Sequence, residues 1–341
     1  MCFCLTLLII SQSIYGVIIA FFFNSLGFCL KGLTETNILA ESINMKSQNS
    51  KSLFALAYSA GLKNYMILDG ITSFFIGLTY AINPYFPIII SLVFTSISAL
   101  LSAYFNVKPQ PKNKEKKSFI KEYKLQFTNL KKSFKKFIKS RRLKALMLFT
   151  FLFSGFLYGS YSIRETMLTE FYEIDATWFG IIIASLTIIG GLAEILQDRI
   201  QKIFKNRTFT FLSLSYVATF ILIFVVAISN IDNNIKLALT LLLFAIEYCI
   251  DSLYTGFTNT YQKNFTTNRI RVKISSVFEV IKYFSNFLLT FIFSIVVGVV
   301  DIENAFLYIG IVFLILFIFA LIYMKSRFGL KPEQYSKSDI Y

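Results

Sequence analysis

The chain has 341 residues, of which 55% are hydrophobic, 17% aromatic and 16% charged, whereas about a quarter of an ordinary soluble domain is charged. These proportions exclude a soluble globular protein, because its interior could not enclose so many apolar side chains. The sequence contains no histidine, and its four cysteines show no Cys-x-x-Cys spacing, so we expect no imidazole catalysis, no metal site, no cofactor and no enzyme activity.

Nine apolar runs are long enough to cross a membrane as helices, which takes about 20 residues. They lie at 3–22, 62–82, 86–106, 144–163, 177–197, 208–228, 236–257, 274–299 and 303–324. A tenth run at 24–42 is weaker, because Lys31, Glu35 and Glu41 interrupt it. We interpret 3–22 as a span and not as a signal peptide, since no basic segment precedes it and no small-residue cleavage site follows.

A strongly basic linker at 107–142 separates the first four candidate spans from the last six. From Lys108 to Lys144, fifteen Lys or Arg stand against two Glu, which accounts for +13 of the net charge of +15. A basic block beside a span is typical of a cytoplasmic segment on anionic lipid, so we expect lipid and not nucleic acid as its partner. Aromatic residues recur every three or four positions over 118–138, which predicts an amphipathic helix in the membrane plane.

Loop charges predict the orientation of the chain. Basic loops lie at 198–207 and 263–273, and the C-terminal tail is also basic. The connections between them, at 164–176, 229–235 and 300–304, are acidic apart from Arg164. Because basic loops are retained in the cytoplasm, we expect the C-terminus inside. The N-terminus is also expected inside if the weak run at 24–42 is a tenth span, since an even number of spans places both termini on one side. The predicted domains are an N-terminal bundle at 1–106, the linker at 107–142, a C-terminal bundle at 143–325 and a cytoplasmic tail at 326–341.

Three short motifs stand out along the chain. They are Gly32 to Glu35 with the apolar residues that follow, Gly180 to Ala184 with Asp198 and Arg199, and Arg271 with the Ser four residues later. Together they resemble bacterial efflux-type transporters of the major facilitator superfamily. The first motif resembles the fourth helix of that family. Gly180 to Ala184, followed by Asp198 and Arg199, is similar to the eighth helix and its basic loop. Arg271 with the Ser four residues later resembles the start of the eleventh helix.

The resemblance implies an all-α integral membrane protein of about ten spans. Its N-terminal bundle has four helices and its C-terminal bundle has six, so the first two helices of the family are missing and the chain looks truncated. Asp198, Arg199 and Arg271 then correspond to the gating loops. The surviving loop motif is degenerate, because Glu194 stands four residues before Asp198 and the glycine pair lies further upstream.

Six ionisable residues within the predicted spans are candidates for a substrate or proton pathway, because charges at bilayer depth usually face a cavity or a partner. They are Glu35, Asp69, Glu247, Asp251, Glu279 and Lys282. Glu247 and Asp251 lie one turn apart on one helix face, with no basic residue in their span beyond its outer end. Glu279 with Lys282, and Glu35 with Lys31, are equally compatible with internal ion pairs that only hold helices together.

The sequence therefore predicts a proton-coupled secondary transporter, an antiporter that exports small organic molecules from a bacterial cell across its cytoplasmic membrane by alternating access. We expect Glu247→Gln to abolish proton-driven transport without affecting folding. The alternative is a partial bundle that transports nothing and binds lipid or another protein. A membrane enzyme is not expected, because neither a Gly-x-x-x-x-Gly-Lys-Ser/Thr nor a Gly-x-Gly-x-x-Gly motif occurs.

Overall fold

A computed structural model describes residues 2–11, 50–83, 85–103, 141–204, 207–264 and 268–324, together with Thr128 and scattered positions between 13 and 27. All regular elements in this described part are helices. Six of them are long and apolar enough to cross a membrane. The chain is therefore an all-α, multi-pass membrane protein, as its composition predicts.

We number the described helices in chain order. They are α1 (Cys2–Ile10), α2 (Ser50–Ile82), α3 (Phe86–Ala103), α4 (Arg141–Thr166), α5 (Ala176–Ala193), α6 (Gln197–Phe204), α7 (Thr208–Ile228), α8 (Asn233–Asn264), α9 (Asn268–Val299) and α10 (Ile302–Met324). A π-helical turn at Met167–Phe171 prolongs α4, and a 3-10 turn at Glu194–Leu196 joins α5 to α6.

The six long apolar helices are α4, α5, α7, α8, α9 and α10. They coincide with the six spans predicted after the linker. Their contacts agree with a chain that reverses direction at every span: Phe149 and Phe156 of α4 meet Phe209 and Phe220 of α7 in the same order, so these two helices are parallel. The side of the membrane on which each end lies stays a prediction from the loop charges.

Helix α4 lies at the centre of the six-helix bundle and packs against α7, α8, α9 and α10. Phe156 is fully buried, and its ring stacks on Phe313 at 4.3 Å between centroids. On the α9 side, a Cβ added at Gly155 would clash with Leu289, and one added at Gly159 would clash with Phe293. Small residues at this spacing allow the two helices to approach closely.

Helix α2 connects the N-terminal part to the bundle by packing along α5. The contact is between backbones: a Cβ added at Gly180 would lie 2.6 Å from the Cα of Gly77. About two turns along α2 from Gly77, Gly70 lies against Ala184, and about three turns from Gly77, Met66 lies against Gly191. The order of these contacts shows that α2 and α5 are antiparallel.

One expectation for the N-terminal part is not met in the described residues, and another is not confirmed. The first predicted span is interrupted, because α1 ends at Ile10 and both Ser11 and Ser13 are non-helical. The Ser11 hydroxyl accepts from the Ser13 amide and the Ser13 hydroxyl from the Gly16 amide, and such local bonds compete with the helix. The total of ten spans is also not confirmed, since the apolar stretch of α3 is short.

Other predicted elements fall outside the described part of the chain. The run at 24–42 does so apart from Asn24 and Gly27, and so do the linker helix at 118–138, except for Thr128, and the tail from 325 onward. The predicted membrane contact of the basic linker therefore stays a prediction.

Candidate functional site

A buried ion pair joins α4 to α8 inside the bundle. Arg164 Nη1 lies 3.2 Å from Glu247 Oε2, and the two side chains are 4% and 0% exposed. The sequence-based interpretation was wrong on both residues: it placed Arg164 in an exposed loop and left Glu247 without a basic partner. The reason is that α4 runs to Thr166, so Arg164 belongs to the helix and to its buried side.

Asp251 lies one turn from Glu247 and binds a different residue of α4. The Tyr161 hydroxyl donates a hydrogen bond to Asp251 Oδ2. Thr219 of α7 donates to the other oxygen of Glu247, Oε1, over 3.5 Å. Glu247 and Asp251 therefore both face α4, which supplies a partner for each acid.

Aromatic rings surround the Arg164 guanidinium. Its Cζ atom lies 4.3 Å from the centroid of Tyr161 and 4.9 Å from that of Tyr248. Phe244 lies somewhat further away, at 5.9 Å. Rings at these distances attract a cation electrostatically and exclude water from it, so the positive charge of Arg164 is held in an apolar, aromatic environment.

A second buried acid lies where α5 ends. Glu194 is 4% exposed and accepts a hydrogen bond of 3.0 Å from the Ser252 hydroxyl on α8. Gly256 lies close by, because a Cβ added there would be 2.9 Å from Glu194 Oε2. In the sequence Glu194 was considered only as part of a degenerate loop motif, although it lies within the predicted span at 177–197.

Glu279 and Lys282 lie apart from this ion pair, at a small cleft between α4, α8 and α9. Thr150, Tyr254 and Phe278 also line the cleft. The Lys282 ammonium lies 5.9 Å from the Tyr158 ring centroid. No ion pair between Lys282 and Glu279 is found among the described residues, so the alternative that they neutralise each other by direct contact is not seen there.

The remaining predicted site residues do not join this group in the described part of the chain. Asp69 is exposed on α2. Asp198 and Arg199 both belong to α6, where Arg199 is exposed. The side chains of Asp198 and Arg271, and all of Glu35, lie outside the described part.

Acidic side chains outnumber basic ones in this region. Glu247 of α8 and Glu194 of the 3-10 turn after α5 are buried, and Asp251 of α8 is half-buried, whereas Arg164 is the base in direct contact with Glu247. Lys282 of α9 is partly buried at a greater distance. The arrangement can therefore take up cations, and protons in particular, at low cost in charge repulsion.

Sequence reasoning missed Arg164, Tyr161, Thr219 and the buried position of Glu194. For Arg164 a signal was available, because it lies one residue beyond the predicted end of its span and is the single base of an otherwise acidic loop. Tyr161 and Thr219 gave no signal, since hydroxyl side chains are common in membrane helices and only the packing of α4 and α7 against α8 brings them to the acids.

A scan against protein-family models and a comparison with curated proteins both find no match for this chain.

Proposed function

We propose that this protein is a secondary active transporter of small organic molecules, coupled to protons and working by alternating access. The observation that supports it most is the buried pair of Arg164 and Glu247, together with the further acids Asp251 and Glu194. Such charges are costly in a membrane protein and commonly line the pathway of an ion or a substrate. The resemblance to the major facilitator superfamily points the same way.

The contact between α2 and α5 gives this proposal a second support. Alternating access requires two bodies that move against each other around a central site. The α2–α5 contact joins the N-terminal part to the six-helix bundle through glycine backbones. Because glycine has no side chain, such a contact interlocks the two helices less than a contact between large side chains does. Export from the cell, in exchange for protons, stays a prediction from the resemblance.

Reconstituted liposomes with a pH-sensitive dye inside test the proposal across several classes of substrate. Organic cations, anions and zwitterions are added outside one at a time, here tetraethylammonium, benzoate and leucine. A solute whose transport is coupled to protons changes the internal pH. We expect such a change for at least one solute class, and its complete absence from all three classes would contradict the proposal.

Single substitutions then identify the residues that couple solute transport to proton transport. Glu247→Gln should abolish the solute-driven pH change, because the amide cannot exchange a proton, and Asp251→Asn should reduce it less. Asp301→Asn, at an exposed position between α9 and α10, serves as the control and should behave like the unchanged protein. Unaltered proton flux in reconstituted Glu247→Gln would remove Glu247 from the pathway.

A further inference from the structure

The hydrogen-bond donors of the Arg164 side chain are unpaired in the described part of the chain. Among the described residues, none of its side-chain nitrogens Nε, Nη1 and Nη2 has a hydrogen-bond partner, and neither has Glu247 Oε2. The contact of 3.2 Å between Nη1 and Oε2 is thus an ion pair whose geometry makes no hydrogen bond. A guanidinium carries five N–H donors, and leaving them unpaired in a buried position is costly.

The groups around these N–H donors indicate which kind of ligand could accept their hydrogen bonds. A planar guanidinium pairs best with a planar group of two oxygens, which it binds through two parallel hydrogen bonds. The rings of Tyr161, Tyr248 and Phe244 flank the guanidinium and offer apolar surface beside it. A carboxylate attached to a small apolar or aromatic body matches both features.

We propose that Arg164 binds the carboxylate of a small organic anion, and that this binding is linked to protonation of Glu247; the inference rests on the proposed transport function. While Glu247 is ionised, it neutralises Arg164. When a proton from water binds a Glu247 carboxylate oxygen, Arg164 loses its counter-charge, and an incoming carboxylate restores it through the free N–H groups. Each proton bound at Glu247 therefore favours one anion at Arg164, and the effect is reciprocal.

Other ionisable groups face this pair from the helices packed around it, and most have a partner of their own. Tyr161 and Asp251 bond to each other, Tyr216 of α7 bonds to Ser160, and Glu194 of the 3-10 turn after α5 bonds to Ser252. The remaining groups are Tyr248 of α8, Lys282 of α9 and Glu165, which is exposed beside Arg164 on α4. Glu247 is the acid in direct contact with Arg164, so its proton is the one linked to the anion.

The coupling between proton binding and anion binding determines whether the two are transported in the same or in opposite directions. A proton and an anion that favour each other's binding are carried in the same direction. The inference therefore favours symport of a proton with an organic anion over the exchange that the resemblance implies.

The experiment uses the full chain, purified in detergent at low buffer concentration, with benzoate as the probe. Benzyl alcohol and benzylamine are the controls, because they share the ring but lack the carboxylate. We expect benzoate to bind with uptake of about one proton per anion, and its affinity to fall about tenfold per pH unit while Glu247 is ionised. Benzoate binding without proton uptake, or equal binding of benzyl alcohol, would overturn the inference.

Two variants separate the roles of the ion pair. Glu247→Gln should bind benzoate without proton uptake and independently of pH, and benzoate should raise its melting temperature more than that of the unchanged protein. The double variant Arg164→Gln/Glu247→Gln, which lacks both members of the ion pair, should show no response to benzoate. A response of the double variant equal to that of Glu247→Gln would overturn the assignment of Arg164.

Failure of this inference is distinguishable from failure of the proposed function. If solute-driven pH changes occur in liposomes but benzoate does not bind, the transporter proposal stands and the anion site is wrong. If no solute of any class changes the internal pH while benzoate binds with its proton, the anion site stands and transport is wrong.

Discussion

The six-helix bundle and the N-terminal helices have similar apolar compositions but bury their side chains very differently. Within the described residues, the large fully buried side chains all belong to the bundle, among them Phe153, Phe156 and Phe220. On α2 and α3, by contrast, large apolar side chains such as Phe75 and Phe94 are 58% and 67% exposed. Hydropathy thus indicates that a helix leaves water, but not whether its neighbour is lipid or protein.

This difference predicts that substitutions within the bundle cost much more stability than equivalent ones on α2 or α3. The largest effect is expected from Glu247→Gln, because it leaves Arg164 buried without a counter-charge. Breaking a buried ion pair on one side typically costs about 3–5 kcal/mol. We expect a fall of the melting temperature in detergent by about 10 °C, so the sequence-based expectation of unaffected folding no longer holds.

The double variant Arg164→Gln/Glu247→Gln is the control for this prediction. It removes both charges, so most of the lost stability should return. A single variant as stable as the unchanged protein would show that Arg164 finds another partner when Glu247 is neutral.

The next largest effect is expected at the aromatic core. Phe156 contacts the rings of Tyr216, Phe220 and Phe313, and Phe156→Ala should cost about 3–5 kcal/mol through lost burial and the cavity it leaves. Phe94→Ala on α3 is the matched control and should cost little in detergent, because its side chain is mostly exposed. Equal losses in melting temperature would contradict the contrast between the two regions.

Features that follow from a local sequence pattern were predicted from the sequence, whereas features that depend on contacts between distant residues were not. The six helices of the bundle follow from long apolar runs, and most of their ends lie close to the prediction. The exceptions are α8, which continues to Asn264, and α9, which begins at Asn268. Near the end of α4, the buried Arg164 was mistaken for a loop residue, because a charge lowers hydropathy whatever its partner is. Pairing of Arg164 with Glu247 joins two residues that are far apart in the chain and depends on how α4 packs against α8, which no local pattern encodes.

A smaller effect is expected at the contact between the two regions. A methyl group added by Gly77→Ala would lie 2.8 Å from the Cα of Gly180, so α2 or α5 must shift. Overpacking of this kind costs about 1–3 kcal/mol, measurable as a lower melting temperature in detergent. Gly61→Ala, on the same helix but with no atom within 4 Å of the added methyl, should be neutral or slightly stabilising. A loss of stability at Gly61 equal to that at Gly77 would mean that the contact is not the cause.

The smallest effect is expected at the start of α5, the helix that packs against both α2 and α8. Asp175 caps this helix, since its Oδ1 accepts hydrogen bonds of 3.0 Å from the amides of Thr177 and Trp178. Asp175→Ala should therefore cost about 1 kcal/mol, a fall in melting temperature of about 2–4 °C. Asp175→Asn keeps an oxygen at the same place and should recover most of the loss. If Asn destabilises the protein as much as Ala, the negative charge at the helix N-terminus, and not the capping hydrogen bonds, would be the source of the stability.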